Sequence, residues 1–124
     1  ILSVLAEKLG ADDIYAIDIE ENAIENAISN ADINNCQNIR SELKVLEDIE
    51  VVPYDYILAN INRQVLLDSA TKLVAFLKEH GSLLISGILI RDEELVKQAY
   101  LKAGFIHVNT LNKGEWLCMH FKKA

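Results

Sequence analysis

Three short apolar runs, each ending on a polar residue and each followed by residues at helical spacing, constrain this chain most. They are Asp13-Ile14-Tyr15-Ala16-Ile17-Asp18, Tyr54-Asp55-Tyr56-Ile57-Leu58-Ala59-Asn60 and Leu83-Leu84-Ile85-Ser86. A largely continuous apolar core without alternation suits a strand covered on both faces. Between the runs the period changes to that of a helix. Glu20 to about Asn34 carries Ile24, Ala27, Ile28 and Ala31 as one stripe, and Asn62 to Glu79 carries Leu66, Ala70, Leu73 and Leu77. Strands that alternate with helices predict βαβ crossovers and a mostly parallel sheet.

The remaining segments fill in this plan. Ile1 to Leu9 reads as the body of an amphipathic helix with no capping residue before it, and Gly10 follows as a C-cap. Asn38 to Val45 is an edge-like strand. Pro53, the single proline, precedes a strand and breaks no ladder. Gly81 is read as the cap of the long helix, after His80. Arg91 to Ala103 is helical, with an acidic first turn (Asp92, Glu93, Glu94) that suits the helix dipole and Gly104 at its end. Phe105 to Leu111 and Trp116 to Phe121 alternate apolar and polar residues around Asn112-Lys113-Gly114, and so predict an antiparallel hairpin. At 124 residues with 51% hydrophobic and 25% charged residues, the expectation is a single globular domain spanning 1–124. The uncapped start at Ile1 suggests a piece of a larger protein.

Charge and cysteine usage narrow the function. Lys and Arg number 12 against 19 Asp and Glu, a net charge of −7, which argues against sequence-independent binding to nucleic acid. Cys36 and Cys118 lie far apart with no partner at ligand spacing, so free thiols in a reducing, cytoplasmic compartment are expected, and no metal. No apolar stretch approaches the roughly 20 residues of a membrane span.

In an open α/β sheet, ligands bind outside the carboxyl ends of the strands. That directs attention to Asp18, Asn60, Ser86 and Gly87. Asp18 can accept hydrogen bonds from the vicinal hydroxyls of a ribose, or it can cap the helix that begins near Glu20. Asn60 can serve a ligand or cap the next helix, but Asn62 is the better cap and leaves Asn60 over. Gly87 can simply bend the strand end. His80 suits a helix C-terminus, and His107 and His120 fall on hairpin strands as surface or satisfied residues. Trp116 reads as hairpin packing. Glu20, Glu21 and Glu25 read as a solvated helix face. Phosphate loops of the GxGxxG and Walker types are absent, as are CxxC and Ser/His/Asp nucleophile signatures.

These residues resemble a known family. Ile17-Asp18-Ile19, followed by an Ala- and Asn-rich helix ending Asp32-Ile33-Asn34, is similar to the acidic second-strand motif of class I S-adenosylmethionine-dependent methyltransferases. Leu58-Ala59-Asn60-Ile61, Ser86-Gly87-Ile88-Leu89 and Gly114-Glu115-Trp116 resemble the PrmA-type branch, which modifies the eleventh large-subunit ribosomal protein. The resemblance implies a Rossmann-like sheet of strand order three-two-one-four-five-seven-six, with the first strand and its glycine-rich loop expected upstream of Ile1. It implies that Asp18 holds the ribose hydroxyls of S-adenosylmethionine, that Ile19 packs near the adenine, and that Asn60 lines the pocket beside the methionine part and the entering amine. The reaction implied is methyl transfer to lysine side chains and the N-terminus of a ribosomal protein, and no general base is identified. Without the central strand, the chain is expected to bind cofactor poorly alone and to self-associate through open strand edges. No nucleic-acid or membrane partner is implied.

Alternatives remain. A nucleic-acid amino-methyltransferase carries Asn-Pro-Pro-aromatic where this chain has Asn60-Ile61-Asn62-Arg63. A non-catalytic, flavodoxin-like receiver module needs an acceptor Asp where Asn60 stands. A dinucleotide-dependent oxidoreductase would also use Asp18, but is not expected to end in this hairpin.

Overall fold

A computed structural model describes all 124 residues, Ile1–Ala124. The chain forms two compact units, Ile1–Glu50 and Val51–Ala124.

In the first unit, α1 (Leu2–Lys8), β1 (Ile14–Asp18), α2 (Glu21–Ile33) and β2 (Ile39–Leu43) follow in order. Strands β1 and β2 pair in parallel, from Ile14 opposite Ile39 to Asp18 opposite Leu43. The α2 crossover supplies Ala31 as its buried contact. Glu7 on α1 ties down the turn before β2. Its carboxylate accepts the backbone N–H groups of Asn38 (2.6 Å) and Gln37 (3.2 Å). The Asn38 N–H is the main reason that the Glu7 carboxyl titrates below its ordinary range.

In the second unit, β3 (Tyr54–Asn60), α3 (Arg63–Ala75), β4 (Leu77–Leu89), α4 (Glu93–Ala103), β5 (Phe105–Lys113) and β6 (Trp116–Lys123) build a four-stranded sheet of order β3-β4-β6-β5. Only the β3–β4 pair is parallel; β6 runs antiparallel to both β4 and β5. Of the expected order three-two-one-four-five-seven-six, the first unit has three-two and the second four-five-seven-six. The architecture is α/β with an antiparallel C-terminal hairpin, as expected, but the strand pairing is mixed rather than mostly parallel: two pairs are parallel and two antiparallel, because β6 lies between β4 and β5.

The core of this unit follows from alternation along β6. Leu117, Met119 and Phe121 are buried, whereas Cys118 and His120 are half-buried on the opposite face. Against the buried face lie Leu83, Ile85 and Ile88 of β4, Leu66 and Leu73 of α3, and Val96 and Tyr100 of α4. The Tyr100 ring meets Phe105 and Phe121, each at 5.4 Å between centroids, and its hydroxyl donates to the Leu66 carbonyl at 2.7 Å. Burial pushes the Tyr100 phenol above its ordinary range, so it remains a donor.

Several expectations are corrected. Helix α3 ends at Ala75, not Glu79, because Phe76 and Leu77 both turn into the core and the Tyr54 N–H donates to the Phe76 carbonyl (2.7 Å). His80 and Gly81 therefore sit in the irregular entry to β4, where Leu77 opposes Tyr54 but Ser82 already opposes Tyr56. Gly81 is there for close approach. A methyl on it would come within 2.9 Å of the Lys78 carbonyl and 3.2 Å of that of Asp55. Strand β3 is not covered on both faces: Tyr56 and Leu58, two residues apart on one face, are 72% and 40% exposed. The hairpin turn is Gly114-Glu115, one step later than expected, since Lys113 already pairs with Trp116. Gly114, at φ +60°, suits the first position of a two-residue hairpin turn.

Asn62 is the N-cap of α3, its Oδ1 accepting the Val65 N–H at 2.9 Å. Asn62→Ala is expected to lower stability by about 1 kcal/mol, and Asn62→Ser to restore most of it, in urea denaturation.

Candidate functional site

Asp18 is the last residue of β1, at its carboxyl end. Its Oδ1 accepts the Glu20 N–H at 3.0 Å, and its backbone carbonyl accepts the Lys44 N–H at 3.0 Å. The capping reading of Asp18 is therefore present locally. Glu20 is the formal N-cap of α2 but contributes no side-chain cap of its own. One N–H fixes the carboxylate, and its second oxygen makes no hydrogen bond within the chain. Asp18 also lines a cleft of about 320 Å³ with Ile17, Ala23, Ile24, Asn26 and Asn30. Asp18, Asn26 and Asn30 are the three polar residues of a lining whose other six, Ile1 included, are aliphatic, so the cleft can take a mainly apolar ligand with a hydroxylated part. Ile19, just past the strand, is 71% exposed and offers further apolar surface. Asn26 and Asn30 were not singled out from the sequence. Their spacing of four in an Asn-rich helix was the available signal.

Asn60 is the last residue of β3, opposite Ser86 of β4 in the parallel register. With Asn62 occupied as the cap, the Asn60 carboxamide makes no hydrogen bond within the chain and is free to meet a ligand. The segment after it is anchored, because Arg63 Nη1 donates to Asp92 Oδ1 at 2.9 Å. Gly87 follows Ser86 at φ +81°. Beyond β4, Leu89, Ile90, Arg91 and Glu115 line a second cleft of about 330 Å³, and the Ile90 N–H donates to the Glu115 carbonyl at 2.9 Å. Trp116 is 56% exposed and pairs with Leu89, so it is less a packing residue than its hairpin position suggested.

The histidines are engaged internally or stand outside these clefts. His107 Nε2 lies 2.7 Å from Thr110 Oγ1, with its ring on Phe121, and His120 Nε2 lies 3.0 Å from Ser82 Oγ. His80 is exposed at φ +63° and is not at a helix end. No group of three or more His, Cys, Asp or Glu side chains could hold a metal ion. No helix is long and apolar enough to cross a membrane.

Known proteins resemble this chain in sequence and fold. The family model for ribosomal protein L11 methyltransferase (PrmA) matches residues 1–124. A ribosomal protein L11 methyltransferase of Acetivibrio thermocellus is 36% identical over 119 residues, covering 96% of this chain and 38% of the relative. That of Lactococcus lactis subsp. lactis is 37% identical over 126 residues, covering 100% of this chain and 39% of the relative. The chain thus spans about two fifths of the length of these curated relatives. The crystal structure of a ribosomal protein L11 methylase from Lactobacillus delbrueckii subsp. bulgaricus superposes with a TM-score of 0.92 at 30% identity, over 99% of this chain and 65% of that one. A methyltransferase from Pyrococcus furiosus shares the fold at a TM-score of 0.83 and 15% identity, over 99% of this chain and 68% of that one. With the family model matched from end to end, the chain belongs to the ribosomal protein L11 methyltransferase (PrmA) family.

Proposed function

We propose that this chain is the catalytic part of an S-adenosylmethionine-dependent enzyme that methylates amines, lysine side chains and the N-terminus, of ribosomal protein L11. The observation that carries the reading is Asp18: a cleft-lining residue at a strand's carboxyl end, its carboxylate fixed by one N–H and its other oxygen without a hydrogen bond within the chain. That donor set fits the cofactor. A carboxylate suits a vicinal diol, and the exposed Ile19 suits an adenine face. Bound S-adenosylmethionine would supply a methyl group on an electrophilic sulfonium. The Asn60 carboxamide oxygen can accept an N–H of the acceptor amine, and so hold a neutral amine in place with its lone pair directed. Such positioning can supply much of an enzyme's rate. Asn60-Ile61-Asn62-Arg63 and the charge of −7 favour a protein amine over a base in nucleic acid. A ribosomal protein substrate would place the reaction in the cytoplasm, where ribosomes are assembled.

The test is calorimetric titration of S-adenosylhomocysteine into the native polypeptide that carries these residues, followed by methyl transfer to purified L11. Saturable binding and labelled L11 are expected. No heat from a folded protein would overturn the proposal.

The same reading extends to partners. Each of β1 and β3 hydrogen-bonds to only one strand, so each has one edge without a strand partner in its own sheet. Exposed edges template pairing with another chain. The 124-residue chain by itself is expected to sediment as dimers or larger species at micromolar concentration. A strictly monomeric boundary would refute edge pairing.

A further inference from the structure

We propose that Gly87 is a positioning residue for Asn60: its bare α-carbon is the seat on which the Asn60 carboxamide rests. The inference rests on the role given to Asn60 above and extends it to a residue on another strand. Gly87 is the extra residue of a β-bulge. Ser86 pairs with Cys118 of β6 and Ile88 with Leu117, so Gly87 has no partner on that strand. The bulge switches the alternation of β4. Leu83 and Ile85 are buried at odd positions and Ile88 at an even one, which leaves Gly87 exposed between Ser86 and Ile88. At φ +81° the Gly87 backbone is in a region that side chains disfavour.

Conformation alone would explain a glycine here. The space above it adds a second, independent reason. A methyl built on Gly87 would overlap Asn60 Oδ1 and lie 3.5 Å from Asn60 Cγ, and apart from its chain neighbours Ser86 and Ile88 it would meet no other atom within 4 Å. The bare face of Gly87 is thus occupied by one group, the amide assigned to the acceptor amine. No hydrogen bond within the chain fixes that amide, so its direction is set by its own backbone and by the surface beneath it. Any side chain at position 87 pushes the carboxamide off its seat. Because the obstructed atom is the tip of a side chain, it moves aside rather than distorting the sheet. The damage then falls on amine positioning more than on the cofactor.

The experiment is a cycle in the native polypeptide: wild type, Gly87→Ala, Asn60→Ala and the double variant. Its readouts are kcat and KM for methyl transfer, S-adenosylhomocysteine affinity, and the Asn60 side-chain amide resonances. Gly87→Ala is expected to lower kcat about tenfold, in line with the sensitivity of rates to small misplacements. It should shift the Asn60 amide resonances, change cofactor affinity less than threefold, and cause no further loss of kcat in the Asn60→Ala background. Equal losses in both backgrounds would make Gly87 merely structural and overturn the proposal, as would an unshifted Asn60 amide. If Asn60→Ala is itself silent while Asp18→Ala abolishes binding, the methyltransferase reading stands and this proposal falls. Should Gly87→Ala fail to fold, Asn60→Gln, which carries the amide one methylene past the seat, takes its place. A tenfold lower kcat at unchanged Tm supports the seat, and full activity overturns it.

Discussion

Phe121→Ala is expected to destabilise the Val51–Ala124 unit by about 3–5 kcal/mol. Phe121 has no exposed surface, and its ring faces Tyr100 (5.4 Å), Phe105 (6.1 Å) and His107 (5.5 Å). These contacts join β5, β6 and α4, so a cavity there removes support from three elements at once. Neighbouring rings are held on strands already fixed by backbone pairing, and the site can collapse only in part. A domain is typically stable by about 5–15 kcal/mol, so this single truncation consumes a large share. The measurement is urea denaturation, with the midpoint falling at an unchanged slope. Tyr100→Phe should cost less, about 1 kcal/mol, because it removes one hydrogen bond to the Leu66 carbonyl and leaves the ring contacts. Tyr100→Ala combined with Phe121→Ala should be less damaging than the sum, since the rings share one contact. A loss below about 1 kcal/mol for Phe121→Ala would mean that the hairpin does not close this core.

The parts of this fold that were legible in the sequence were those set by local chemistry. Asn62 was recognisable as a cap because Asn before an apolar-periodic run satisfies an N–H that nothing else reaches, and the Val65 N–H is there. Eliminating Asn62 is what exposed Asn60. Leu117, Met119 and Phe121 were readable from alternation alone. The end of α3 was not. Leu77 continues the helical stripe in sequence, and its burial was anticipated, but Phe76 and Leu77 reach the core only if the helix stops first. That choice belongs to tertiary packing and overrides helical period. Gly81 looked like a cap for the same reason, whereas its requirement comes from the Lys78 and Asp55 carbonyls. The seat of Asn60 on Gly87 and the grip of Glu7 on Asn38 join residues 27 and 31 positions apart, and neither has a local signature. Asp18 stands between these cases. Its place at a strand end was legible, and so was its competing role at Glu20. The structure keeps both, because a carboxylate has two oxygens and the helix entry uses one.

Asp18→Ala in the native polypeptide is expected to weaken S-adenosylhomocysteine binding by about 10²-fold or more. Hydrogen bonds to a charged acceptor are worth about 1.5–3 kcal/mol each, and a vicinal diol makes two. At 1.4 kcal/mol per factor of ten, even the lower figure taken twice gives about two decades. The substitution also removes the acceptor for the Glu20 N–H, which should lower stability by no more than about 1 kcal/mol. That N–H lies at an exposed helix entry, where water can replace the lost partner. The two effects separate cleanly, since binding falls by orders of magnitude while Tm moves by a few degrees. Asp18→Asn sharpens the distinction. It keeps an acceptor for Glu20 and hence the helix entry, but it loses the charge and replaces one oxygen with an N–H donor. If Asp18 serves a ribose, Asp18→Asn should retain wild-type Tm and still bind at least tenfold more weakly. If Asp18 serves only the helix, Asp18→Asn should be indistinguishable from wild type in both measurements. Calorimetry beside thermal denaturation on these two variants therefore decides between the two roles of one side chain.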